Sequence, residues 1–362
     1  MPSDRDIDRE SAAEPRSVPG GEARASIRAE LACPFMWPSS LTRVTRPLRD
    51  LSAVMDLGRL ADVAAAAANS GKELGFTLIS KEYIQTGLNW IHAMHRLGLN
   101  NFLIIAGDEF TCKKLDERGV PFVRADIDES EFDLSFVSHD GFSAKGLAMI
   151  ALKFPVVSFL LKCGYSVIFS DSDAVWLRDP MAYLRSSDIA FQRVAHHPPP
   201  ISSLWSFAAC TGFVFFRQGS KTITFLDRCI MEHQSFRCDQ VAMNLALLEG
   251  DPDWLCEDAD WMPPGGDVRY DKDQRLAVFA KLMRFPITGE LRQGGPRLLA
   301  LPHDKFWRHL WAARSMPDMV ICHPNSPKDD LGKMKIFDGM GIRFPPEAVN
   351  LAGEGERDQG AD

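Results

Sequence analysis

Asp171 and Asp173 are separated by one small residue, Ser172, and follow the apolar run Val167-Ile168-Phe169. Side chains along an extended backbone repeat with period two, so the spacing predicts two carboxylates pointing the same way at a strand end. Like charges that close together are costly unless a cation joins them. A hard divalent ion takes oxygen ligands and leaves positions open for phosphate oxygens. The pattern therefore predicts a metal–diphosphate site, with Mn²⁺ or Mg²⁺ as the ion. The plainer alternative is a pair of turn or cap carboxylates, which are common after strands.

The elements around this pair alternate. Apolar strand segments lie at 76–80, 102–106 and 120–124, and helical spacing at 83–97 and 109–118, closed by Gly98 and Gly119. This βαβαβ order implies a mostly parallel sheet, whose ligands gather outside the carboxyl ends of the strands. A long helix at 143–163, kinked at Pro155, leads into the strand before the acids. Further on, strands are expected at 189–192, 207–217, 276–280, 297–301 and 319–322, with helices at 220–233 and 239–248 and a loop at 196–200. Residues 1–50 mix charge, Pro, Gly and Ser without period and read as a disordered N-terminal segment. Residues 51–70 read as an N-terminal helix, 71–347 as the ordered domain, and 348–362 as a flexible tail.

Bulk composition narrows the field. The chain has 362 residues, 45% hydrophobic and 25% charged, enough material for a large core. A net charge of −8 argues against a nucleic-acid partner and means that a phosphorylated ligand needs local cations or a metal. The 8 cysteines include no C-x-x-C pair, which removes zinc ribbons and thioredoxin-type sites. Cys163, Cys210 and Cys322 sit in apolar runs and read as small buried hydrophobes. No apolar core of a signal peptide is visible in the polar N-terminal stretch, and no run of about 20 apolar residues suggests a membrane span.

Other residues invite chemistry. Asp239 and Gln240 open a helix, where an aspartate ordinarily serves as an N-cap favoured by the helix dipole. Gly332 beside Lys333 would let backbone approach a diphosphate while the ammonium neutralises it. Lys328 and Lys335 read as solvent-facing. Ser80 and Lys81 close the first strand, the usual nucleotide edge of such sheets. Thr211 and Gly212 interrupt an apolar strand and could line a sugar pocket, although a bulge would explain the glycine equally well. Trp176 and Trp205 read as packing residues before sugar-stacking ones. His196, His197, Cys229, His233 and Cys238 lack a fourth ligand at a recognised zinc spacing.

The stretch from Gly164 to Pro180, GYSVIFSDSDAVWLRDP, resembles the signature of the nucleotide-diphospho-sugar transferase family, the group that includes rhamnogalacturonan xylosyltransferases. Three later segments agree in order. Cys210 to Arg217 is similar to the family's strand of a small residue, Gly and aromatics. Asp239-Gln240 with Asn244 resembles its D-Q-x-x-x-N helix start. Cys322-His323-Pro324-Asn325, followed by Gly332-Lys333, is similar to its late His-x-Asn and Gly-Lys segment, with Pro324 departing from the usual small residue. The resemblance covers residues 75–345.

The resemblance implies a GT-A fold, an α/β architecture with a single Rossmann-like mixed sheet flanked by helices. It implies a divalent metal, usually Mn²⁺, a nucleotide-sugar donor such as a UDP-sugar, a glycan or glycoprotein acceptor, and retention of anomeric configuration. It places Asp171, Asp173 and His323 on the metal, Asp239 near the donor sugar hydroxyls, Gln240 beside the anomeric carbon, and Ser172 and Asn244 among the donor-binding residues with Asp171. Lys153 would be a cation touching the donor, although a solvated helix lysine explains it as well. Two oxygens with one imidazole suit Mn²⁺ better than Mg²⁺. Glutamine is a poor nucleophile, which favours front-face substitution over covalent double displacement. The resemblance also implies the Golgi lumen, although this sequence shows no anchor.

Two other readings compete. Asp171 to Val175 also fits the D-x-D-x-[T/V] pattern of phosphohydrolases with an aspartyl nucleophile, here Asp171. That motif normally follows the first strand, whereas several strands precede it here, and the later acidic pair, Asp251 and Asp253, is a weak match. The third reading is a sugar-nucleotide or glycan binder without turnover. Galactose, xylose and arabinose are all compatible with the motifs.

Overall fold

The computed structural model describes residues 21–32, 50–127, 144–236, 238–257, 259–263, 268–308, 318–327 and 329–344. The expected flexible tail at 348–362 and most of the 1–50 segment lie outside the described residues. Along the chain run α1 (Gly21–Ala32), α2 (Leu57–Ala67), β1 (Glu73–Ile79), α3 (Ile84–Arg96), β2 (Phe102–Ala106), α4 (Glu109–Asp116) and β3 (Phe122–Arg124). Then come α5 (Ala144–Ala151), α6 (Lys153–Lys162), β4 (Ser166–Ser170), β5 (Val175–Trp176), α7 (Met181–Leu184), β6 (Ile189–Val194), α8 (Pro199–Trp205) and β7 (Ala208–Phe216). The remainder is α9 (Ser220–Phe236), α10 (Asp239–Gly250), β8 (Pro252–Leu255), α11 (Lys272–Leu282), β9 (Ile287–Leu291), β10 (Arg297–Ala300), β11 (Phe306–Arg308), β12 (Ile321–His323) and α12 (Asp330–Met340).

Nine strands form one mixed sheet in the order β3-β2-β1-β4-β7-β6-β10-β9-β8, flanked by helices, as expected for this α/β class. β1 pairs in parallel with β2 and β4, whereas β7 runs antiparallel to β4 and β6. The central strands are nearly continuous apolar runs because both faces are covered. Phe169, Val214 and Phe216 share one cluster with Val157 of α6, Leu226 of α9 and Leu245 of α10. Ile168, Phe213 and Phe215 share another with Trp90 of α3 and Trp176 of β5. A small second sheet, β11-β12-β5, is added to the expected one.

Several local expectations need correction. Within the segment read as disordered, Gly21–Ala32 is a helix that buries Ile27 and Leu31 and pairs Arg24 with Asp251 at 2.8 Å. Burying two such side chains, about 1.5–3 kcal/mol each, outweighs the polar composition around them. The 51–70 helix is a short 3-10 turn at Leu51–Ala53 followed by α2, which Asp56 caps by accepting the Arg59 N–H at 3.0 Å. The expected strand at 276–280 is instead the middle of α11, started by a capping box between Asp271 and Gln274. The long helix at 143–163 is two helices with a break at Leu152, since Pro155 has no N–H for the carbonyl of Ala151. Cys163 ends α6 exposed rather than buried.

Candidate active site

The site forms where β4 leaves the sheet. The Ser170 hydroxyl accepts the indole N–H groups of Trp90 at 3.0 Å and Trp176 at 3.1 Å, which pins the strand end. The Asp171 N–H donates to the carbonyl of Gly212 at 2.7 Å, and the Ala174 N–H to the carbonyl of Asp171 at 2.9 Å. Residues 171–174 therefore turn. The two carboxylates converge as expected, but through this turn and not through strand alternation. Gly212 of β7 packs against the cluster so closely that a Cβ there would overlap His323 Cε1 and Asp171 Oδ2.

β12 brings the third group. Ile321 and Cys322 pair with Trp176 and Val175, which delivers His323 beside the acids. Its buried ring donates Nδ1–H to Gln192 Oε1 at 2.8 Å. Gln192 follows a register shift in β6, and such a bulge re-aims a side chain. This tautomer leaves the Nε2 lone pair toward the acids, 3.2 Å from Asp173 Oδ1 and 3.5 Å from Asp171 Oδ2. Burial, reinforced by Arg308, pushes the imidazole pKa down to about 3, so the ring is neutral.

Three cations border three carboxylates. Lys333 Nζ lies 2.6 Å from Asp173 Oδ2 and also donates to the carbonyl of Pro324. Lys153 Nζ pairs with Asp239, lies 3.6 Å from Asp171 Oδ1, donates to the carbonyl of Thr211 at 3.1 Å and sits 4.2 Å from the Phe169 ring centroid. Arg308 donates to His323 Nε2 and, at 3.0 Å, to Asn325 Oδ1. Burial opposes the charge of Lys153, but Asp171 and Asp239 outweigh it and raise its pKa. The acids are split. Burial raises Asp171, against the pull of Lys153, while at Asp173 the same burial is outweighed by the charge of Lys333, with Arg308 adding to it, which holds the carboxyl well below the usual carboxylate range. Asp171 keeps 36% of its side chain open to solvent, so a ligand can reach it.

Asp171, Asp173 and His323 offer two carboxylate oxygens and one imidazole nitrogen, all within 4.8 Å of one another. That donor set fits a divalent transition ion such as Mn²⁺. The Nδ1–H bond to Gln192 is the outer contact that ligating histidines commonly use.

Asp239 and Gln240 open α10, although Cys238, not Asp239, occupies the N-cap. The Asp239 carboxylate accepts from the Thr211 hydroxyl at 2.7 Å, from Lys153, and from the Gln240 N–H at 2.9 Å. Gln240 donates through Nε2 to the carbonyl of His197 at 2.6 Å, and its Oε1 has no partner among the described residues. Thr211, Gly212 and Lys153 thus join the cluster.

Other expected donor residues are used elsewhere. Asn244 clamps α10 to β7: it accepts the Ala209 N–H at 2.9 Å and donates to the carbonyls of Ala209 at 2.8 Å and Gln240 at 2.7 Å. Its amide thus holds α10 against β7. The Gly332 N–H is taken by the Asp329 cap of α12 at 2.7 Å, and its missing side chain makes room for Pro327. The Ser172 hydroxyl lies 3.5 Å from that of Thr86, toward α3. Ser80 is buried at the end of β1, and the Lys81 N–H donates to Asp108 at 2.8 Å; no contact among the described residues joins either to the acids. Trp176 and Trp205 are core residues, Lys335 is exposed, and Lys328 lies outside the described residues.

Sequence reading missed Gln192, Arg308 and Tyr83. The Tyr83 phenol is pushed up by burial and by nearby Asp173, which marks it as a neighbour of the cluster. No motif flags these three; Arg308 arrives only because β11 pairs with β12 in the register Arg308 to His323.

The family described as nucleotide-diphospho-sugar transferase matches residues 97–337. Arabinosyltransferase RRA2 of Arabidopsis thaliana is 34% identical over 107 residues, covering 29% of this chain and 24% of that protein. Beta-arabinofuranosyltransferase RAY1 of the same plant is 26% identical over 168 residues, covering 45% of this chain and 30% of that protein. The matched regions thus span less than a third of either relative's length. A solved structure of the galactosyltransferase LgtC, with donor and acceptor sugar analogs, aligns with 75% of this chain and 96% of its own at 10% identity and a TM-score of 0.38.

Proposed function

The chain belongs to the nucleotide-diphospho-sugar transferase family, and from that premise we propose that it is a metal-dependent retaining glycosyltransferase. It moves a sugar from a nucleotide-diphosphate donor, a UDP-sugar first among candidates, to a hydroxyl of a glycan or glycoprotein. The observation that carries this reading is the meeting of Asp171, Asp173 and His323 within 4.8 Å, with Lys333 against Asp173. The two curated relatives are named for arabinosyl transfer, so arabinose leads xylose and galactose as the sugar to test.

A divalent ion held by Asp171, Asp173 and His323 would supply charge to the departing diphosphate. Lys333 adds a fixed cation beside it, where preorganised charge is worth most. Asp239 is committed to Lys153, Thr211 and the Gln240 amide, so it orients the donor sugar and does not act as a nucleophile. Gln240 is held by His197, and its Oε1, which has no partner among the described residues, would face the anomeric carbon of a bound donor. The acceptor hydroxyl attacks the face from which the diphosphate leaves, and its proton passes to the leaving phosphate oxygen.

The test is turnover of a panel of UDP-sugars with Mn²⁺, followed by NMR of the product's anomeric configuration. Inverted product would overturn the retaining mechanism, and lack of binding to any nucleotide-sugar would overturn the function. Binding without turnover across a broad acceptor panel would favour the binder reading, and a phosphorylated Asp171 the phosphohydrolase. The proposal extends to the Golgi lumen, which localisation of the tagged full chain tests. No helix among the described residues is long and apolar enough to cross a membrane.

A further inference from the structure

The cations of the site are not equivalent. Lys153 and Lys333 each rest on a carboxylate, Asp239 and Asp173. Arg308 does not. Its guanidinium rests on two neutral acceptors, the His323 Nε2 lone pair and the Asn325 amide oxygen, and its buried Nε has no partner among the described residues. No carboxylate among the described residues lies within ion-pair distance of it. Its backbone, by contrast, is fixed: β11 pairs Arg308 with His323, and the His303 ring lies 2.7 Å from the Arg308 carbonyl through Nε2. A planar fork of N–H donors matched to phosphate oxygens is thus anchored beside the cluster with no direct carboxylate contact, Asp171 and Asp173 feeling its charge only from beyond ion-pair distance.

Its contact on the site side is the same lone pair that a cation shared with Asp171 and Asp173 would require. A guanidinium and a metal cannot both take His323 Nε2. We propose that Arg308 is a displaceable counter-ion: it caps His323 Nε2 in the empty site and, when cation and donor enter, swings onto the diphosphate as a positioning residue. This rests on the transferase reading given above. The side chain needs only to rotate about an anchored backbone, and the incoming diphosphate supplies the direct anionic contact it lacks. Arg308 therefore opposes binding of the metal alone and favours binding of metal and nucleotide together, which couples the two.

Calorimetric titration separates these effects. Mn²⁺ alone is titrated into wild type, Arg308→Gln and Arg308→Lys, and UDP is then titrated at saturating Mn²⁺. Because each variant loses a charge-assisted bond, Arg308→Gln should bind Mn²⁺ alone about tenfold more tightly and UDP with Mn²⁺ about tenfold more weakly. Arg308→Lys keeps the charge but loses the fork, so it too should bind Mn²⁺ more tightly, whereas a purely long-range charge effect would leave it at the wild-type value. Thermal midpoints confirm that both variants are folded. Unchanged or weaker Mn²⁺ binding in Arg308→Gln, or unchanged UDP binding, overturns the proposal. If wild type takes up neither Mn²⁺ nor UDP, the transferase reading itself fails and this inference falls with it.

Discussion

Lys153 and Asp239, 86 positions apart in sequence, meet in a buried ion pair whose ammonium also lies 3.6 Å from Asp171. One cation therefore ties the helix that starts at Asp239 to the acid at the end of β4. Lys153→Met leaves Asp239 buried and unpaired, and breaking such a pair from one side costs about 3–5 kcal/mol. Urea unfolding should show that loss, and adding Asp239→Asn should recover much of it without restoring transfer. Equal stability of the single variant and wild type would disprove the pairing.

Asp173→Asn should abolish Mn²⁺ uptake in titration and lower transfer by about 10²–10³-fold, the scale seen when one element of a preorganised charge site is removed. It also strands Lys333, which is buried. Stability should fall in the single variant and rise again in Asp173→Asn with Lys333→Met. Transfer should stay at that reduced level in both.

Gly212→Ala adds one methyl group where His323 and Asp171 already touch the backbone. The expected result is a folded protein with greatly weakened Mn²⁺ binding, seen as a lost Mn²⁺-dependent rise in thermal midpoint. Wild-type metal affinity in this variant would contradict the close approach.

Gln240 and Asn244 sit one helical turn apart yet should behave oppositely. Asn244→Ala removes three hydrogen bonds inside the core and should lower stability by about 1–3 kcal/mol or more. Gln240→Ala loses the one bond to the His197 carbonyl and should lower stability by only about 0.5–1.5 kcal/mol while cutting kcat by up to about 10²-fold, since its main effect is on positioning at the reacting carbon.

Acid should destabilise the fold through histidine. Burial, with Arg193 nearby, pushes the His303 pKa down to about 3. The unfolded chain takes up that proton near pH 6.5, so between the two values the unfolded state binds more protons, and stability falls as pH drops through that window. At pH 5 the loss is about 2 kcal/mol for this residue. Urea unfolding at pH 7.5 and 5.0 should show it, and His303→Gln should have a correspondingly smaller difference between the two conditions.

The readable parts of the sequence were those where one local pattern sufficed. Phe102 to Ala106 is a buried strand with the predicted bounds, because continuous apolar runs covered on both faces leave no other reading. The Asp171–Asp173 spacing announced the cluster even though a turn, not an extended strand, brings the carboxylates together. What stayed hidden depends on pairing between distant segments. Arg308 becomes a site residue only through the register of β11 on β12, and Gln192 only through a bulge in β6. The helix at Lys272–Leu282 is legible in its start, Asp271 three residues before Gln274 being a capping box, but the short apolar run Leu276 to Ala280 suits a strand equally well. Gly332 and Asn244 carried the right letters for donor binding, and hydrogen bonds to Asp329 and Ala209 took up their polar groups first.

The family signature begins at residue 97, yet β1, at Glu73–Ile79, is wedged between β2 and β4. A fragment trimmed to the signature would have a slot through the middle of its sheet, flanked by two rows of orphaned amides and carbonyls. The smallest autonomously folding piece that contains this sheet must therefore reach back at least to Glu73.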